Sequence, residues 1–441
     1  MLPVALMAAS LALTPAQSAK IDAVVAQVMH AHNIRGLALG VARKGHTVIL
    51  RGYGYRSCDA NAPVDGYTVF SVGSITKQFT AALVMQAADR GELPLDAAIK
   101  GITIGELLAQ TSGLVNYTDA GQTLESALNA PPQFPPGTQW QYSNSNYYLL
   151  GTSLQDVTKQ SYADLLAARI TRPLRLTSTT FGPPLLAENV ARGCVWSGDA
   201  WQPAPYRTID EPAIAFSAGG LSSNVPDLLN WLGALDTGGI VNPDRFDAMT
   251  TSGTLPDGKP THYGYGFFTA DWYGLRIADH SGNIDGFTGE DGIVLDDGTA
   301  FAILTNADAI DLTPLAKSLV EIVEPLKNQA LVASLGRAGI FEDPNVTKLV
   351  TTLVAQLAQD RLDRSLLTDA FNNRLTSARI RAYAAQLQPY GRLEQALFND
   401  STTIDTTTSE TYTLNFARGR LVMVVSLRNG GVDAISLEAA R

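Results

Sequence analysis

The stretch that decides the fold is Phe70-Ser71-Val72-Gly73-Ser74-Ile75-Thr76-Lys77-Gln78-Phe79-Thr80. From Ile75 onward, apolar residues recur at helical spacing until Arg90-Gly91 interrupts the pattern, which predicts a helix of about four turns. Positions three apart on a helix are neighbours on one face, so Lys77 can place its amine against the Ser74 hydroxyl. The first turn also leaves backbone N–H groups unpaired, and these favour a negative charge that develops near Ser74.

A serine hydroxyl becomes a strong nucleophile only when a base takes its proton. The amine of Lys77 can act as that base if desolvation or a nearby positive charge lowers its pKa. The Ser-x-x-Lys pattern is weak evidence by itself, since a helix-capping serine followed by a solvated lysine has the same spacing. The rest of the chain must therefore decide between the two interpretations.

Length and composition indicate an ordered globular protein with two domains. The chain has 441 residues, of which 45% are hydrophobic and 17% charged. The net charge is −10 and no basic stripe compensates for it, which argues against nucleic acid as a partner.

The first nineteen residues carry no charge, and most of Leu2 to Leu13 are apolar. Small residues follow from Thr14 to Ala19, which is typical of a signal peptide and its cleavage site. The usual basic start is missing, so a mature N-terminal helix is the alternative. We predict a signal peptide over residues 1–19 and export to the periplasm or the medium. No other apolar stretch is long enough to span a membrane.

Two cysteines, Cys58 and Cys194, are too few for a disulfide framework. Pairing in an oxidising compartment stays open, but their separation in sequence gives no support for it, so two buried free thiols are expected. The segment His30-Ala31-His32-Asn33-Ile34 has isoleucine where a metal-binding motif would need a carboxylate. No metal site is predicted there.

Strand patterns stand at both ends of the first 330 residues, with helical patterns between them. This arrangement predicts an α+β fold, in which helices flank one antiparallel sheet and a helical region is inserted. Thr103 and Glu106 form a capping box for a short helix. The predicted strands are residues 36–43, 47–53, 264–267, 275–279, 292–295 and 301–305, followed by a helix over 312–330.

A joint is predicted at residues 336–344, followed by a small accessory α+β domain over 340–441. Two helical stretches, 345–360 and 376–387, precede three alternating strands at 410–416, 421–427 and 432–437. Residue types that carry out catalysis do not cluster in this tail.

Two further motifs accompany the Ser74 stretch. These are Tyr142-Ser143-Asn144, and Asp279-His280-Ser281-Gly282-Asn283-Ile284-Asp285-Gly286-Phe287 at the start of a predicted strand. Considered alone, Tyr142 is consistent with a residue of an aromatic core, and His280 with a hydrogen-bonded histidine in a strand. Taken together, in this order, the motifs resemble the serine β-lactamase and penicillin-binding-protein superfamily over residues 20–330. The resemblance is greatest to the class C-type branch, which also contains esterases, D-aminopeptidases and D-Ala-D-Ala carboxypeptidases.

The resemblance implies a role for each residue of the first two motifs. Ser74 would attack the substrate carbonyl and become acylated. Lys77 would take the serine proton or hold the neighbouring phenol in its ionised form. Tyr142 would act as general base and then protonate the leaving group, and Asn144 would bind the acyl side chain and steady Lys77.

The third motif is implied to bind the substrate. His280-Ser281-Gly282 stands where many relatives have Lys-Thr-Gly, and the N–H groups of Ser74 and Asn283 would form the oxyanion hole. His280 lacks the permanent charge of that lysine, which weakens the case for β-lactam hydrolysis. Gln110 replaces a histidine that is structural in the family. No cofactor or metal is implied.

We therefore predict a serine hydrolase that cleaves an amide or ester in a small molecule or peptide. The alternative is a non-catalytic scaffold or binding protein, and the intact Ser74, Lys77 and Tyr142 argue against it. The sequence leaves three substrate classes open, namely β-lactams, D-amino-acid peptides and esters. It also leaves open the oligomeric state and the role of the tail.

Overall fold

A computed structural model describes residues 13–59, 61–119, 121–182, 189–204, 212–272, 275–323, 344–404, 407–428 and 430–439. The chain divides into two compact units, Met1–Val323 and Glu324–Arg441. Residues 336–343 of the predicted joint lie outside the described residues, as do residues 324–330 of the predicted helix.

Six antiparallel strands form the central sheet of the first unit, in the order β10-β11-β12-β13-β1-β2. The predicted hairpin is confirmed, because β1 and β2 pair in antiparallel fashion. Lys44 and Gly45 between them have the positive φ values that a tight hairpin turn requires. The strands are Gly36–Arg43 (β1), His46–Gly54 (β2), Phe268–Trp272 (β10), Leu275–Ile284 (β11), Phe287–Val294 (β12) and Thr299–Thr305 (β13).

Helices cover both faces of this sheet. One face packs against α1 (Pro15–Ala31) and α11 (Thr313–Val323), and the other against α2 (Thr76–Asp89) and α9 (Val225–Asp236). The shorter elements are β3 (Phe70–Ser71), β4 (Ala98–Ile99), β5 (Ile102–Thr103), α3 (Ile104–Leu108), α4 (Leu124–Asn129), α5 (Asn144–Thr158), α6 (Tyr162–Leu166), α7 (Arg172–Leu174), β6 (Thr180–Phe181), β7 (Cys194–Trp196), β8 (Trp201–Pro203), α8 (Pro212–Gly219), β9 (Leu221–Ser223) and α10 (Pro243–Thr250). The fold is thus the α+β arrangement expected from the sequence.

Two strand predictions need correction. Residues 264–267 form a turn and not a strand, because Gly266 has φ +81° and a Cβ there would lie 2.8 Å from the carbonyl oxygen of Lys77. The observed strand, β10, begins at Phe268, directly after the predicted stretch. The third motif also begins inside a strand and not at its start, since β11 begins at Leu275 and runs past His280 to Ile284, and the motif ends at Phe287, the first residue of β12.

The expectation of two free thiols is wrong, because Cys58 and Cys194 form a disulfide. The sheet brings these distant segments together. Cys194 opens β7, and its backbone N–H donates to the carbonyl oxygen of Asn306 just after β13. The Asn306 side-chain amide donates in turn to the carbonyl oxygen of Tyr55, three residues before Cys58. Separation along the chain therefore says nothing about their distance in space.

The N-terminal region is described from residue 13, so residues 1–12 of the predicted signal peptide lie outside the described residues. Thr14 caps α1, and its hydroxyl accepts a hydrogen bond from the backbone N–H of Gln17. The Gln17 amide donates to the carbonyl oxygen of Ile322 in α11. Export stays a prediction. No described helix is both long and apolar enough to cross a bilayer.

The second unit is an antiparallel four-stranded sheet with helices and its own apolar core. Both predicted helical stretches and all three predicted strands are confirmed, while β14 and α13 were not predicted. The elements are α12 (Pro344–Leu357), α13 (Asp369–Arg374), α14 (Ser377–Leu387), β14 (Leu393–Ile404), β15 (Thr407–Phe416), β16 (Gly419–Arg428) and β17 (Gly431–Ala439).

Candidate active site

Ser74 lies in a single 3₁₀ turn, Gly73–Ile75, that leads directly into α2. Lys77 lies in the first turn of α2 and is fully buried, with 0% of its surface exposed. Its Nζ is 2.8 Å from Ser74 Oγ. The N-cap residue of α2 is Ile75 and not Ser74, and α2 has no side-chain capping hydrogen bond. The interpretation as a capping serine with a solvated lysine is therefore wrong.

Two further contacts fix the Lys77 amine. Nζ lies 2.7 Å from Asn144 Oδ1 and 2.7 Å from the carbonyl oxygen of Ala218, and both oxygens can only accept hydrogen bonds. Burial lowers the pKa of Lys77 well below its usual value. A neutral amine has two N–H groups and one lone pair. If the N–H groups serve the two acceptors, the lone pair faces the hydroxyl of Ser74.

Tyr142 contacts both Ser74 and Lys77. Its hydroxyl forms a hydrogen bond with Ser74, and its ring centroid is 4.8 Å from Lys77 Nζ. The ring keeps some accessible surface, but dense surrounding protein desolvates the hydroxyl. Burial, reinforced by Tyr263, raises the pKa of the Tyr142 phenol well above 10, and the bond to Ser74 only partly opposes this. The phenol therefore keeps its proton at neutral pH, and an ionised resting phenol is not supported.

Asn144 is the first residue of α5, and it contacts both Lys77 and the loop that contains Asn116 and Thr118. Its backbone N–H donates to Asn116 Oδ1, and its side-chain amide donates to Thr118 Oγ1. These bonds orient the amide so that its oxygen faces Lys77. Asn144 is half-buried, so part of its side chain is open to a substrate.

The strand β11 passes next to the Ser74 turn with backbone against backbone. A Cβ at Gly282 would lie only 1.9 Å from the carbonyl oxygen of Val72, and one at Gly73 would lie 2.8 Å from the backbone nitrogen of Asn283. Both positions therefore require glycine. The contact brings the N–H groups of Ser74 and Asn283 to one edge of the site, and Asn283 is exposed there.

His280 faces the opposite side of β11 from Asn283 and is 1% exposed. Its Nδ1 lies 2.6 Å from the carbonyl oxygen of Ser281, which can only accept, so Nδ1 carries the proton. Nε2 is 3.2 Å from the hydroxyl of Tyr263. Burial, with a smaller effect from Lys77, lowers the pKa of His280 to about 3. The side chain is therefore uncharged at neutral pH.

The structure thus brings together all seven predicted site residues, and it adds some that sequence reasoning missed. The carbonyl of Ala218 is one, because a backbone acceptor leaves no signal in residue type. Phe268 and Tyr263 are others, with Phe268 stacked on Tyr142 at 6.2 Å between ring centroids. Their signal was the aromatic run after residue 262.

The side chain of Gln110 anchors the segment before α5 through hydrogen bonds. Its Oε1 accepts hydrogen bonds from the backbone N–H of Ser143 and the side-chain amide of Asn146. The hydroxyl of Ser112 donates to Asn146 Oδ1. This buried network fixes the residue that follows Tyr142, in agreement with the structural role expected for Gln110.

Two buried carboxyl groups lie on β11 and β12 close to the site. Asp279 and Glu290 are 8% and 1% exposed and share a hydrogen bond. Burial raises the pKa of Asp279 to about 6, and burial together with the charge of Asp279 raises the pKa of Glu290. Lys317 lowers the pKa of Asp279, whereas Asp311 raises that of both groups. The pair is most stable while it retains a proton.

We expect the Asp279–Glu290 pair to contribute less stability as the pH rises through about 6. Both carboxyl groups have a folded pKa above the unfolded value of about 4, so their stabilisation is complete below pH 4 and is lost as the pH rises through the folded values. His280 acts in the opposite direction, because its pKa is lowered to about 3 in the folded protein. Compared with wild type, Glu290→Gln should therefore lose less stability with rising pH, whereas Glu125→Gln at an exposed position should follow wild type. Melting temperature against pH is the measurement, and an unchanged slope in Glu290→Gln would contradict this assignment.

A family model described as Beta-lactamase matches residues 21–324. Protein flp of Staphylococcus aureus (strain MW2) is 25% identical over 377 residues, which covers 78% of this chain and 74% of that protein.

Two solved structures share the fold. The octameric penicillin-binding protein homologue from Pyrococcus abyssi matches with a TM-score of 0.62 and 19% identity, over 96% of this chain and 98% of that one. The D-amino acid amidase from Ochrobactrum anthropi SV3 matches with a TM-score of 0.59 and 22% identity, over 70% of this chain and 99% of that one.

Proposed function

Because the chain belongs to the Beta-lactamase family, we propose that it is a serine hydrolase that cleaves an amide or ester through an acyl-enzyme on Ser74. One observation carries the proposal. The buried Lys77 amine lies 2.8 Å from Ser74 Oγ, while two oxygens that can only accept occupy its other contacts. This arrangement suits a neutral amine that accepts the serine proton.

Acylation begins with transfer of the Ser74 hydroxyl proton to Lys77 Nζ. The oxygen then bonds to the substrate carbonyl carbon, and the carbonyl electron pair moves to its oxygen. The N–H groups of Ser74 and Asn283 donate to that oxyanion, and the close contact of Gly73 with β11 holds them in place before substrate arrives.

Tyr142 completes the first half of the reaction. As the bond from carbon to nitrogen or oxygen breaks, its hydroxyl donates a proton to the leaving group and receives one from the Lys77 ammonium. Both residues return to their resting protonation states. Water then attacks the ester on Ser74 by the reverse sequence of proton transfers, and the carboxylic acid leaves.

The charge of the site favours substrates without a carboxylate beside the scissile bond. His280 is uncharged, and the pKa of Lys77 is lowered, so neither supplies a firm cation for such a group. Ring surface from Tyr142 and Phe268 is partly accessible. We infer that neutral amides and esters of D-amino acids, as the name of the amidase neighbour suggests, are better substrates than penicillins or peptides with a free C-terminus.

The test is intact-protein mass spectrometry after brief exposure to a fluorophosphonate. Wild type should gain one adduct, and Ser74→Ala should gain none. Ser71→Ala is the matched control, since it changes a serine three residues away and should label as wild type does. Folded wild type that gains no adduct would refute the proposal and favour the non-catalytic scaffold. With labelling established, hydrolysis of D-phenylalanine amide against a penicillin tests the substrate class.

A further inference from the structure

Phe216 has a backbone conformation that residues other than glycine rarely adopt. Its φ of 40° and ψ of −134° interrupt α8 within the segment Pro212–Gly219. These angles resemble the first central position of a type II′ turn, which glycine dominates. Such strain persists only where the surrounding structure enforces it, and it clusters at functional sites.

The residues immediately after the kink face the catalytic helix. The carbonyl oxygen of Ser217 accepts a hydrogen bond from Thr80 Oγ1 at 2.7 Å. The next carbonyl, that of Ala218, lies 2.7 Å from Lys77 Nζ. The kink at Phe216 therefore directs two successive carbonyl groups toward α2, at Lys77 and one turn beyond it.

Packing of the Phe216 ring maintains the strained backbone. The ring is buried among three aromatic rings, with centroids 5.1 Å from Tyr148, 5.3 Å from Tyr162 and 5.9 Å from Phe181. The backbone is held too, because the N–H of Gly220 donates to the carbonyl oxygen of Phe216 at 2.7 Å.

The adjoining helix α5 is shaped to fit this segment. Ser217 Oγ donates to the carbonyl oxygen of Tyr147 at 2.8 Å. A Cβ at Gly151 would lie 2.0 Å from Ser217 Oγ and 2.8 Å from the Phe216 ring. Glycine at 151 thus lets α5 close onto the kink, so side-chain packing and backbone hydrogen bonds act in the same direction.

We propose that Phe216 is a positioning residue, whose caged ring forces the backbone turn that aims the Ala218 carbonyl at the Lys77 amine. This carbonyl occupies one N–H of the amine and thereby turns its lone pair toward Ser74. The inference rests on the proposed function. Phe216 itself is buried and does not touch the reacting atoms.

The test compares Phe216→Ala with Phe216→Gly. Both variants lose the ring, but only glycine adopts a φ of 40° without strain, so the Ala218 carbonyl should stay in place in Phe216→Gly and move in Phe216→Ala. The fluorophosphonate should phosphonylate Ser74 of Phe216→Ala, with loss of fluoride, at least tenfold more slowly than Ser74 of wild type. Phe216→Gly should react several-fold faster than Phe216→Ala, although glycine is ordinarily the poorer residue in a helix. With D-phenylalanine amide, the loss should appear in kcat and leave KM unchanged.

Two outcomes overturn the inference. The first is that Phe216→Ala reacts as fast as wild type, and the second is that Phe216→Ala reacts as fast as Phe216→Gly. If Phe216→Ala does not fold, Phe216→Val replaces it, since a β-branched residue tolerates positive φ least, and it should also react more slowly than Phe216→Gly. Failure of the proposed function is distinct, because wild type itself would then remain unlabelled.

Discussion

Replacing Lys77 with methionine should slow the reaction of Ser74 with a fluorophosphonate by about 10³-fold or more. Methionine fills much of the buried space, but it offers no lone pair of comparable basicity to the Ser74 hydroxyl. Removal of a general base commonly costs 10²–10⁴ in rate, and residues that act as a unit fail together. The measurement is the rate at which the fluorophosphonate phosphonylates Ser74.

Two control variants show whether the slower reaction comes from the lost basicity of Lys77, from its lost charge, or from the loss of any lysine. Lys77→Arg keeps a positive charge but cannot give up its proton near neutral pH, so it should be as slow as Lys77→Met. Lys348→Met at an exposed position in the second unit should react as wild type does. Fast phosphonylation of Lys77→Arg would show that Lys77 supplies a positive charge and not a base.

The pH dependence of the wild-type rate gives an independent check on the same group. Because burial lowers the pKa of Lys77 well below its usual value, the amine should lose its proton at a lower pH than an ordinary lysine does. The rate should therefore fall on the acidic side, where Lys77 gains a proton, and reach a plateau below the pH at which an ordinary lysine titrates. A rate that keeps rising up to pH 10 would contradict the neutral resting amine.

Removing the disulfide should produce the second large effect, on stability. The double variant Cys58→Ala with Cys194→Ala should unfold with a free energy about 2–5 kcal/mol lower, because the bond closes a loop of 136 residues that an unfolded chain would otherwise leave open. Denaturant or thermal unfolding of the oxidised wild type and the double variant measures the difference.

Reduction provides the control for that comparison. A dithiol reductant should lower the stability of wild type toward that of the double variant and leave the double variant unchanged. Equal stability of wild type and the double variant would contradict the expectation. The disulfide also supports the proposal of export, since such bonds persist in oxidising compartments.

The sequence by itself determined the elements that depend on near neighbours. The helix after Ser74 follows from apolar spacing, and the capping box of Thr103 and Glu106 from two residues three apart. The hairpin of β1 and β2 follows from two strand-forming stretches on either side of Lys44-Gly45. Each of these patterns involves residues close along the chain, so the local sequence contains the required information. The Ser-x-x-Lys spacing identified Ser74 and Lys77 as candidates, and the family resemblance added the other five predicted site residues.

Only the tertiary structure decided the state of those residues. Lys77 and Ala218 are 141 residues apart, and their contact, with the burial around it, turns an ordinary lysine into a candidate base. The Cys58–Cys194 bond and the strained turn at Phe216 are likewise products of packing between distant segments. A pKa, a disulfide and a forced backbone angle depend on which groups meet in space and how far water is excluded. Residue type and spacing along the chain do not specify either.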